Sequence, residues 1–128
     1  MLRISLILLS ILTSCFKDET VSGQTDDEVV WLLSTINEAP VAARITITFP
    51  EQGKIAGQAP CNAYFGDQTA PLPWFDVKGI GATRMACPEL ELESQYFELL
   101  QNMTTAEITG DTLVLRNDAG KSLMFVNK

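Results

Sequence analysis

Histidine is absent from this chain of 128 residues, and basic residues are few. Without histidine there is no Ser-His-Asp triad, no Cys-His catalytic pair and no zinc site with an imidazole ligand. Nine Lys and Arg residues stand against sixteen Asp and Glu residues, so the formal net charge is -7. A basic face for nucleic-acid phosphates is therefore lacking. We expect a non-catalytic protein with no cofactor, no metal site and no nucleic-acid partner.

A hydrophobic run long enough to cross a bilayer as a helix, about 20 residues, is also lacking. The apolar run at the start covers only residues 4–12, is interrupted by Ser5 and Ser10, and follows the single basic residue Arg3. A short apolar run behind a positive charge is typical of a signal peptide. We predict that residues 1–14 are such a leader.

The run ends in Leu12-Thr13-Ser14-Cys15, which resembles the bacterial lipobox. The resemblance implies cleavage before Cys15, a diacylglycerol on its sulfur and acylation of its new amine. Two or three acyl chains hold a protein on a membrane durably. Phe16 follows the cysteine where Asp would favour inner-membrane retention, so we predict attachment to the outer membrane, facing the periplasm.

Removal of the leader leaves eight basic residues against sixteen acidic ones. A domain with that charge does not adhere to anionic lipid by electrostatics, so attachment would depend on the lipid at Cys15. Residues 17–27 are polar, and we predict that residues 15–27 are the lipidated cysteine and a flexible tether. Residues 28–128 then form one domain.

Alternating apolar residues separated by turns predict about seven short strands in this domain, as in a curled antiparallel sheet. Residues 58–73 are rich in Ala, Pro, Gly and Asn and are predicted to include an irregular loop. Residues 88–103 change to helical period. We therefore expect an α+β, mainly β fold, a curled antiparallel sheet or small barrel with one helix packed on it.

One face of the predicted helix is apolar and the rest is polar. The apolar positions are Leu92, Tyr96, Leu99, Leu100 and Met103, and the polar ones are Glu91, Glu93, Glu98 and Gln101. Glu89, Glu91 and Glu93 follow one another at intervals of two residues, so successive acids point in different directions and cannot flank one substrate bond.

With Cys15 assigned to the lipid, Cys61 and Cys87 remain as an even pair in an exported chain. An oxidising compartment and two remaining cysteines predict a disulfide. Closing this loop stabilises a fold by about 3.5 kcal/mol on the chain-entropy account. We expect the bond to be structural, because redox-active pairs are usually spaced C-x-x-C.

Two cysteine-containing segments resemble the META domain (HslJ-like) family of small bacterial envelope proteins. Residues 57–64 are similar to its G-x-x-G-C-N-x-[YF] segment, with Pro60 in place of the second Gly, and residues 83–87 are similar to its T-x-M-A-C segment. Further matches in the family's order are Trp31, Leu33, Phe49, Glu93 and the closing hairpin of residues 113–125. The resemblance covers residues 28–128. It implies a compact β-rich fold with a helix, the Cys61–Cys87 pair, no established enzymatic activity, and a link to envelope stress and drug tolerance.

A candidate binding patch consists of polar and aromatic residues near the two cysteines: Asn62, Tyr64, Trp74, Thr83 and Arg84. The disulfide brings Asn62 and Arg84 close together, and Arg84 suits a carboxylate or phosphate partner. The alternative, which we favour, is structural: Asn62 hydrogen-bonds its own loop, and the Arg84 stem covers apolar surface or its charge pairs with Asp67 or Asp76. Trp31 and Trp74 are expected in the core.

Two functions fit these features. The first is a lipid-anchored envelope protein that binds a partner, such as another envelope protein, without catalysis. The second is a small periplasmic inhibitor of an exported hydrolase, which requires a protruding segment from residues 17–27 or 58–73.

Overall fold

The structure, a computed structural model, describes residues 17–127; the predicted signal peptide and Cys15 lie outside this range. A short 3-10 helix, Val21–Gln24, precedes nine strands and one α-helix. The strands before the helix are β1 (Trp31–Ile36), β2 (Ala39–Pro40), β3 (Thr46–Ile47), β4 (Lys54–Gln58), β5 (Ala63–Gln68) and β6 (Val77–Ala82). The helix α1 (Leu90–Asn102) is followed by β7 (Thr105–Thr109), β8 (Thr112–Arg116) and β9 (Ser122–Asn127).

The strands form two antiparallel sheets. One has the order β2-β1-β9-β8-β7, with β3 also paired to β1, and the other has the order β4-β5-β6. Two isolated bridges add to this pairing: Thr48, which follows β3, pairs with Ala56 of β4, and Trp74, which precedes β6, pairs with Thr105 of β7. The predicted mainly β fold with one helix is confirmed. It is a curled arrangement not closed into a barrel, with nine strands rather than about seven.

The closing hairpins confirm the turns predicted from the sequence. Gly110 and Asp111 connect β7 to β8 as a two-residue loop between the paired Thr109 and Thr112. The φ of Gly110 is 57°, in the left-handed region that such a tight hairpin turn requires. Alternate residues of β8 and β9 point inward, and the inward set is completely buried: Leu113, Leu115, Leu123 and Phe125.

Residues 58–73, predicted to include an irregular loop, contain the strand β5 with irregular backbone before and after it. Tyr64, Gly66 and Gln68 are buried along β5, while the residues between them are exposed. The Gln68 side chain accepts hydrogen bonds from the backbone N–H groups of Ala70 (3.1 Å) and Asp76 (2.9 Å). It also donates to the Ala70 carbonyl at 3.1 Å. A buried amide thus substitutes for an apolar side chain and holds the following turn.

The segment predicted as a flexible tether is folded over part of its length. Val21 is buried in the core, and Thr20 beside it is buried as well. The Asp18 carboxylate accepts hydrogen bonds from the Thr20 backbone N–H (2.9 Å), the Thr20 hydroxyl (2.5 Å) and the Ser22 hydroxyl. Burial raises the pKa of Asp18, but these hydrogen bonds outweigh it and hold the pKa below its ordinary value.

The helix α1 occupies the connection between β6 and β7. Its buried residues are Glu93, Tyr96 and Leu100, one of which is the acid predicted to lie on the polar side. Across residues 17–127 no helix has the length and apolar character needed to span a membrane.

Candidate functional site

Glu93 on α1 connects the helix to the turn that carries Cys61. The residue is only 3% exposed. Its Oε1 accepts hydrogen bonds from the backbone N–H groups of Cys61 (3.0 Å) and Asn62 (2.8 Å). Its Oε2 accepts one from the Asn62 side-chain amide at 2.7 Å. Three N–H donors therefore converge on this carboxylate, an arrangement that stabilises a buried negative charge.

Asn62 connects the same turn to the segment between β6 and α1. Its Nδ2 also donates to the Met85 carbonyl at 3.0 Å. Its Oδ1 accepts from the Thr83 hydroxyl at 2.8 Å and from the Met85 backbone N–H at 2.7 Å. We call this network, formed by Asn62, Glu93, Thr83 and Met85, the Asn62–Glu93 clamp. Asn62 and Thr83 thus have structural roles. The Asn62 side chain, which was expected to hydrogen-bond its own loop, forms its hydrogen bonds with other segments.

The disulfide joins the two segments that the clamp connects. Cys61 and Cys87 are bonded with their Cα atoms 5.5 Å apart. Because the bond and the clamp act on the same pair of segments, the chain from Thr83 to Cys87 is held at both ends. The sequence-based pairing of Cys61 with Cys87 agrees with the structure.

Tyr64 lies beneath the clamp and is buried rather than available to a ligand. Its hydroxyl donates to the Thr46 carbonyl (2.7 Å) and is 2.6 Å from the Tyr96 hydroxyl. Burial raises the pKa of Tyr64 and of Tyr96 well above the ordinary value for tyrosine. Gly57 allows this packing, since a Cβ there would lie 2.1 Å from the Thr46 carbonyl oxygen and 2.7 Å from the Tyr64 hydroxyl.

An open cleft of about 450 Å³ lies beside the clamp. Its walls are the chain from Ala82 to Ala86 on one side and α1 residues on the other, with Asn62 and Glu93 between them. Met85 is 62% exposed and Leu90 is 43% exposed, and Phe97 adds a half-buried aromatic ring. We call this surface the Arg84 cleft, because Arg84 is its one cationic lining residue.

Arg84 forms no ion pair with any residue between positions 17 and 127. The two acids considered as its partners are engaged elsewhere: Asp67 with Lys54 at 2.5 Å, and Asp76 with Lys78 at 3.4 Å. An exposed guanidinium beside apolar side chains can donate two parallel hydrogen bonds to a carboxylate or phosphate. Of the patch predicted from the sequence, the structure thus brings Asn62, Thr83 and Arg84 to one cleft.

Trp74 is not part of this cleft. Trp74 is 58% exposed and is bridged to Thr105 of β7, so the expectation that it belongs to the core is wrong. Trp31 is buried, as expected, and its indole N–H donates to the Thr25 hydroxyl at 3.1 Å.

A wider groove of about 540 Å³ lies between α1 and the turn joining β8 to β9. It is lined mainly by exposed polar side chains: Asn37, Gln95, Glu98, Asn102, Asn117, Asp118 and Lys121. Leu99 is its one large apolar lining residue, whereas the Arg84 cleft is lined by Met85, Leu90 and Phe97. Within residues 17–127 no three Cys, Asp or Glu side chains are grouped as metal ligands would be.

The segments considered for an inhibitory protrusion are mostly integrated into the fold. Residues 63–68 form β5, and Thr20 and Val21 are buried. An inhibitory protrusion would therefore have to come from the exposed parts of these segments that lie outside β5, such as Pro71 and Pro73.

The sequence reasoning missed Glu93 as a site residue. One signal was available: Glu93, Tyr96, Phe97 and Leu100 follow the spacing of a buried helix stripe. An acid within such a stripe indicates a buried carboxylate with partners from another segment.

The sequence of this chain matches a known protein family. The family model for the META domain matches residues 21–128. No protein of curated function matches the chain.

Solved structures share the fold. An NMR structure of a protein from Burkholderia xenovorans aligns with a TM-score of 0.65 and 25% identity, covering 84% of this chain and 86% of that one. A second NMR structure aligns with a TM-score of 0.62 and 27% identity, covering 79% of this chain and 90% of that one. The crystal structure of a DUF4847 family protein from Bacteroides vulgatus, at 16% identity and a TM-score of 0.56, covers 66% of this chain and 59% of that one. At that identity only the fold is shared.

Proposed function

The chain belongs to the META domain family, and from this premise we propose that it is a non-catalytic, lipid-anchored protein of the bacterial cell envelope. It acts in envelope stress or drug tolerance by binding a partner. The binding surface is the Arg84 cleft, and the partner presents an anionic group next to an apolar one.

The observation that carries this proposal is the composition of the cleft. Arg84 has no carboxylate partner within residues 17–127, and Met85 and Leu90 expose apolar surface beside it. Exposed apolar side chains grouped around a charged residue are typical of interaction sites. The Asn62–Glu93 clamp and the disulfide fix the segment that carries Arg84, so little conformational freedom is lost when a partner binds.

The polar groups at the base of the cleft favour binding over catalysis. Both oxygens of Glu93 accept hydrogen bonds from the protein itself. The Asn62 amide uses its donor and its acceptor on Glu93, Thr83 and Met85. A general base must be free to accept a proton from a substrate. Glu93 is instead occupied in holding the fold.

Anchoring is supported by the lipobox-like Leu12-Thr13-Ser14-Cys15 at the end of the leader. Its test is incorporation of a labelled fatty acid, followed by intact mass. Wild-type protein should begin at Cys15 and carry acyl groups, whereas Cys15→Ser should keep the leader and incorporate no label. Wild-type protein that begins elsewhere and carries no lipid would rule out the anchor.

Binding is tested with Arg84→Ala and the matched variant Arg44→Ala, which removes another exposed arginine outside the cleft. Both should change the free energy of unfolding by no more than about 0.5 kcal/mol, as surface substitutions usually do. Only Arg84→Ala should fail to restore envelope-stress survival to a strain that lacks the protein. A photocrosslinking side chain at Ala86 should capture a partner in cells, and Arg84→Ala should abolish that adduct. Equal behaviour of the two arginine variants in both assays would refute the role of the cleft.

A further inference from the structure

A rigid apolar turn projects from the domain beside its N-terminal segment. Pro71, Pro73 and Trp74 are exposed, and the Trp74 backbone N–H donates to the Pro71 carbonyl at 2.8 Å. The chain on either side is fixed, since Ala106 N–H donates to the Pro73 carbonyl at 2.9 Å and Phe75 is buried. We call residues 71–74 the Trp74 turn.

The Trp74 turn is bonded directly to the start of the folded chain. The Leu72 backbone N–H donates to the Glu19 carbonyl at 2.8 Å. Glu19 in turn lies between Asp18, whose carboxylate binds Thr20 and Ser22, and the buried Val21. The start of the folded chain and the Trp74 turn therefore lie side by side on one face, joined by a backbone hydrogen bond.

The length of chain between Cys15 and this face limits how the domain can orient. Four residue steps separate Cys15 from Glu19, which span at most about 14 Å even when fully extended. A domain of this size has a radius of gyration of about 13 Å and a diameter of more than 30 Å. A domain anchored at Cys15 must therefore keep its Glu19 face toward the bilayer. The longer tether predicted from the sequence would have left it free to turn.

We propose that the Trp74 turn inserts into the headgroup region of the bilayer to which Cys15 is anchored. This inference rests on the lipid anchoring proposed above. Tryptophan is favoured at membrane interfaces because its ring is apolar while its N–H needs a polar partner. The Trp74 indole donates to no group in residues 17–127, unlike that of Trp31, so a lipid headgroup can accept its hydrogen bond.

The charges near the turn do not attract it to anionic lipid, since the exposed Glu19 on the same face is acidic. Asp76 is paired with Lys78, and the whole chain carries a net negative charge. Insertion should therefore occur on zwitterionic phosphatidylcholine vesicles and should not increase when anionic lipid is added.

The chain's two tryptophans allow a direct test by fluorescence. Lipidated wild-type protein is reconstituted into phosphatidylcholine vesicles, with or without a lipid that carries a quencher at headgroup depth. We expect Trp74 emission to shift to shorter wavelength, to resist quenching by aqueous iodide, and to be quenched strongly by the labelled lipid. The variant Trp74→Phe should leave only the emission of buried Trp31, which neither quencher changes. Full accessibility of Trp74 to iodide on the vesicles would overturn the proposal.

A second preparation separates this inference from the lipid anchor itself. Protein that begins at Cys15 is coupled through that thiol to a maleimide lipid, which provides an anchor whether or not the cell lipidates the chain. If the labelled lipid quenches Trp74 in this preparation while protein isolated from cells carries no acyl group, insertion is supported and lipid anchoring in the cell is rejected. Acylated cellular protein with no lipid quenching in either preparation would reject insertion alone. Protection of Trp74 from iodide in concentrated, lipid-free protein would assign the turn to a protein interface and would also overturn the proposal.

Discussion

Replacing Glu93 with glutamine tests whether the Asn62–Glu93 clamp stabilises the fold. Glutamine has nearly the same volume, but one carboxylate oxygen becomes an NH₂ donor. If the remaining oxygen faces the backbone N–H groups of Cys61 and Asn62, the new NH₂ meets the Asn62 side-chain donor, now 2.7 Å from Oε2. Rotating the Asn62 amide does not help, because its oxygen is needed by Met85 N–H and the Thr83 hydroxyl.

The expected loss in the free energy of unfolding follows from the number of hydrogen bonds affected. A hydrogen bond to a charged group contributes about 1.5–3 kcal/mol, and a buried donor left without a partner costs about 1–3 kcal/mol. Removing a buried charge offsets part of this loss, because the carboxylate no longer has to be desolvated. We expect Glu93→Gln to lower the free energy of unfolding by about 2–4 kcal/mol, a large fraction of the 5–15 kcal/mol typical of a domain.

Urea-induced unfolding measures this loss in the free energy of unfolding, with Glu91→Gln as the matched control. Glu91→Gln is the same chemical change in the same first turn of α1, but the Glu91 side chain is exposed. Any effect on the helix dipole is thus common to both variants. With a slope of about 1.5 kcal/mol per molar urea, the midpoint for Glu93→Gln should fall by about 1.3–2.7 M. Two variants that agree within about 0.5 kcal/mol would refute the clamp as a source of stability.

Three further substitutions or titrations have defined outcomes. Replacing Cys61 and Cys87 with alanine should lower the free energy of unfolding by about 3.5 kcal/mol in calorimetry, and an unchanged melting temperature would contradict the structural role of the bond. Because burial raises the pKa of Tyr64 and Tyr96, folded protein holds both protons above pH 10 and unfolding releases them, so stability falls as the pH rises past 10. Tyrosinate absorbance should thus appear together with loss of circular dichroism, and its appearance in folded protein would be inconsistent with this burial. Gly57→Ala should destabilise the domain by more than 2 kcal/mol in urea, since the added methyl meets the Thr46 carbonyl, and tolerance of alanine would show that β3 moves aside.

The fold was predictable where the apolar pattern is simple. The closing hairpins have clear alternation and turn residues, and the 3.6-residue period marks α1. The strand β5 was missed because two of its three inward positions are Gly66 and Gln68, which carry no hydrophobic signal. Gln68 is buried because its amide satisfies backbone groups of the following turn, a tertiary fact that local pattern does not contain.

The site was predictable only in part, for a related reason. The two cysteines located the segments that meet, and this placed Asn62 and Arg84 near one another. The main partner of Asn62, however, is a carboxylate 31 residues away in the sequence. Its burial depends on donors from a turn in another part of the fold, so helix periodicity could indicate that Glu93 faces inward but not what it binds.

The folded N-terminal segment changes how an anchored META domain would meet its partner. A flexible tether of the predicted length would let the Arg84 cleft sample every direction above the bilayer. With Val21 in the core and Glu19 bonded to Leu72, the connection from Cys15 is too short for such rotation. Insertion of Trp74 would then fix the orientation of the cleft relative to the membrane. A partner in the same membrane would meet a surface already oriented, and the entropy lost on association would be correspondingly smaller.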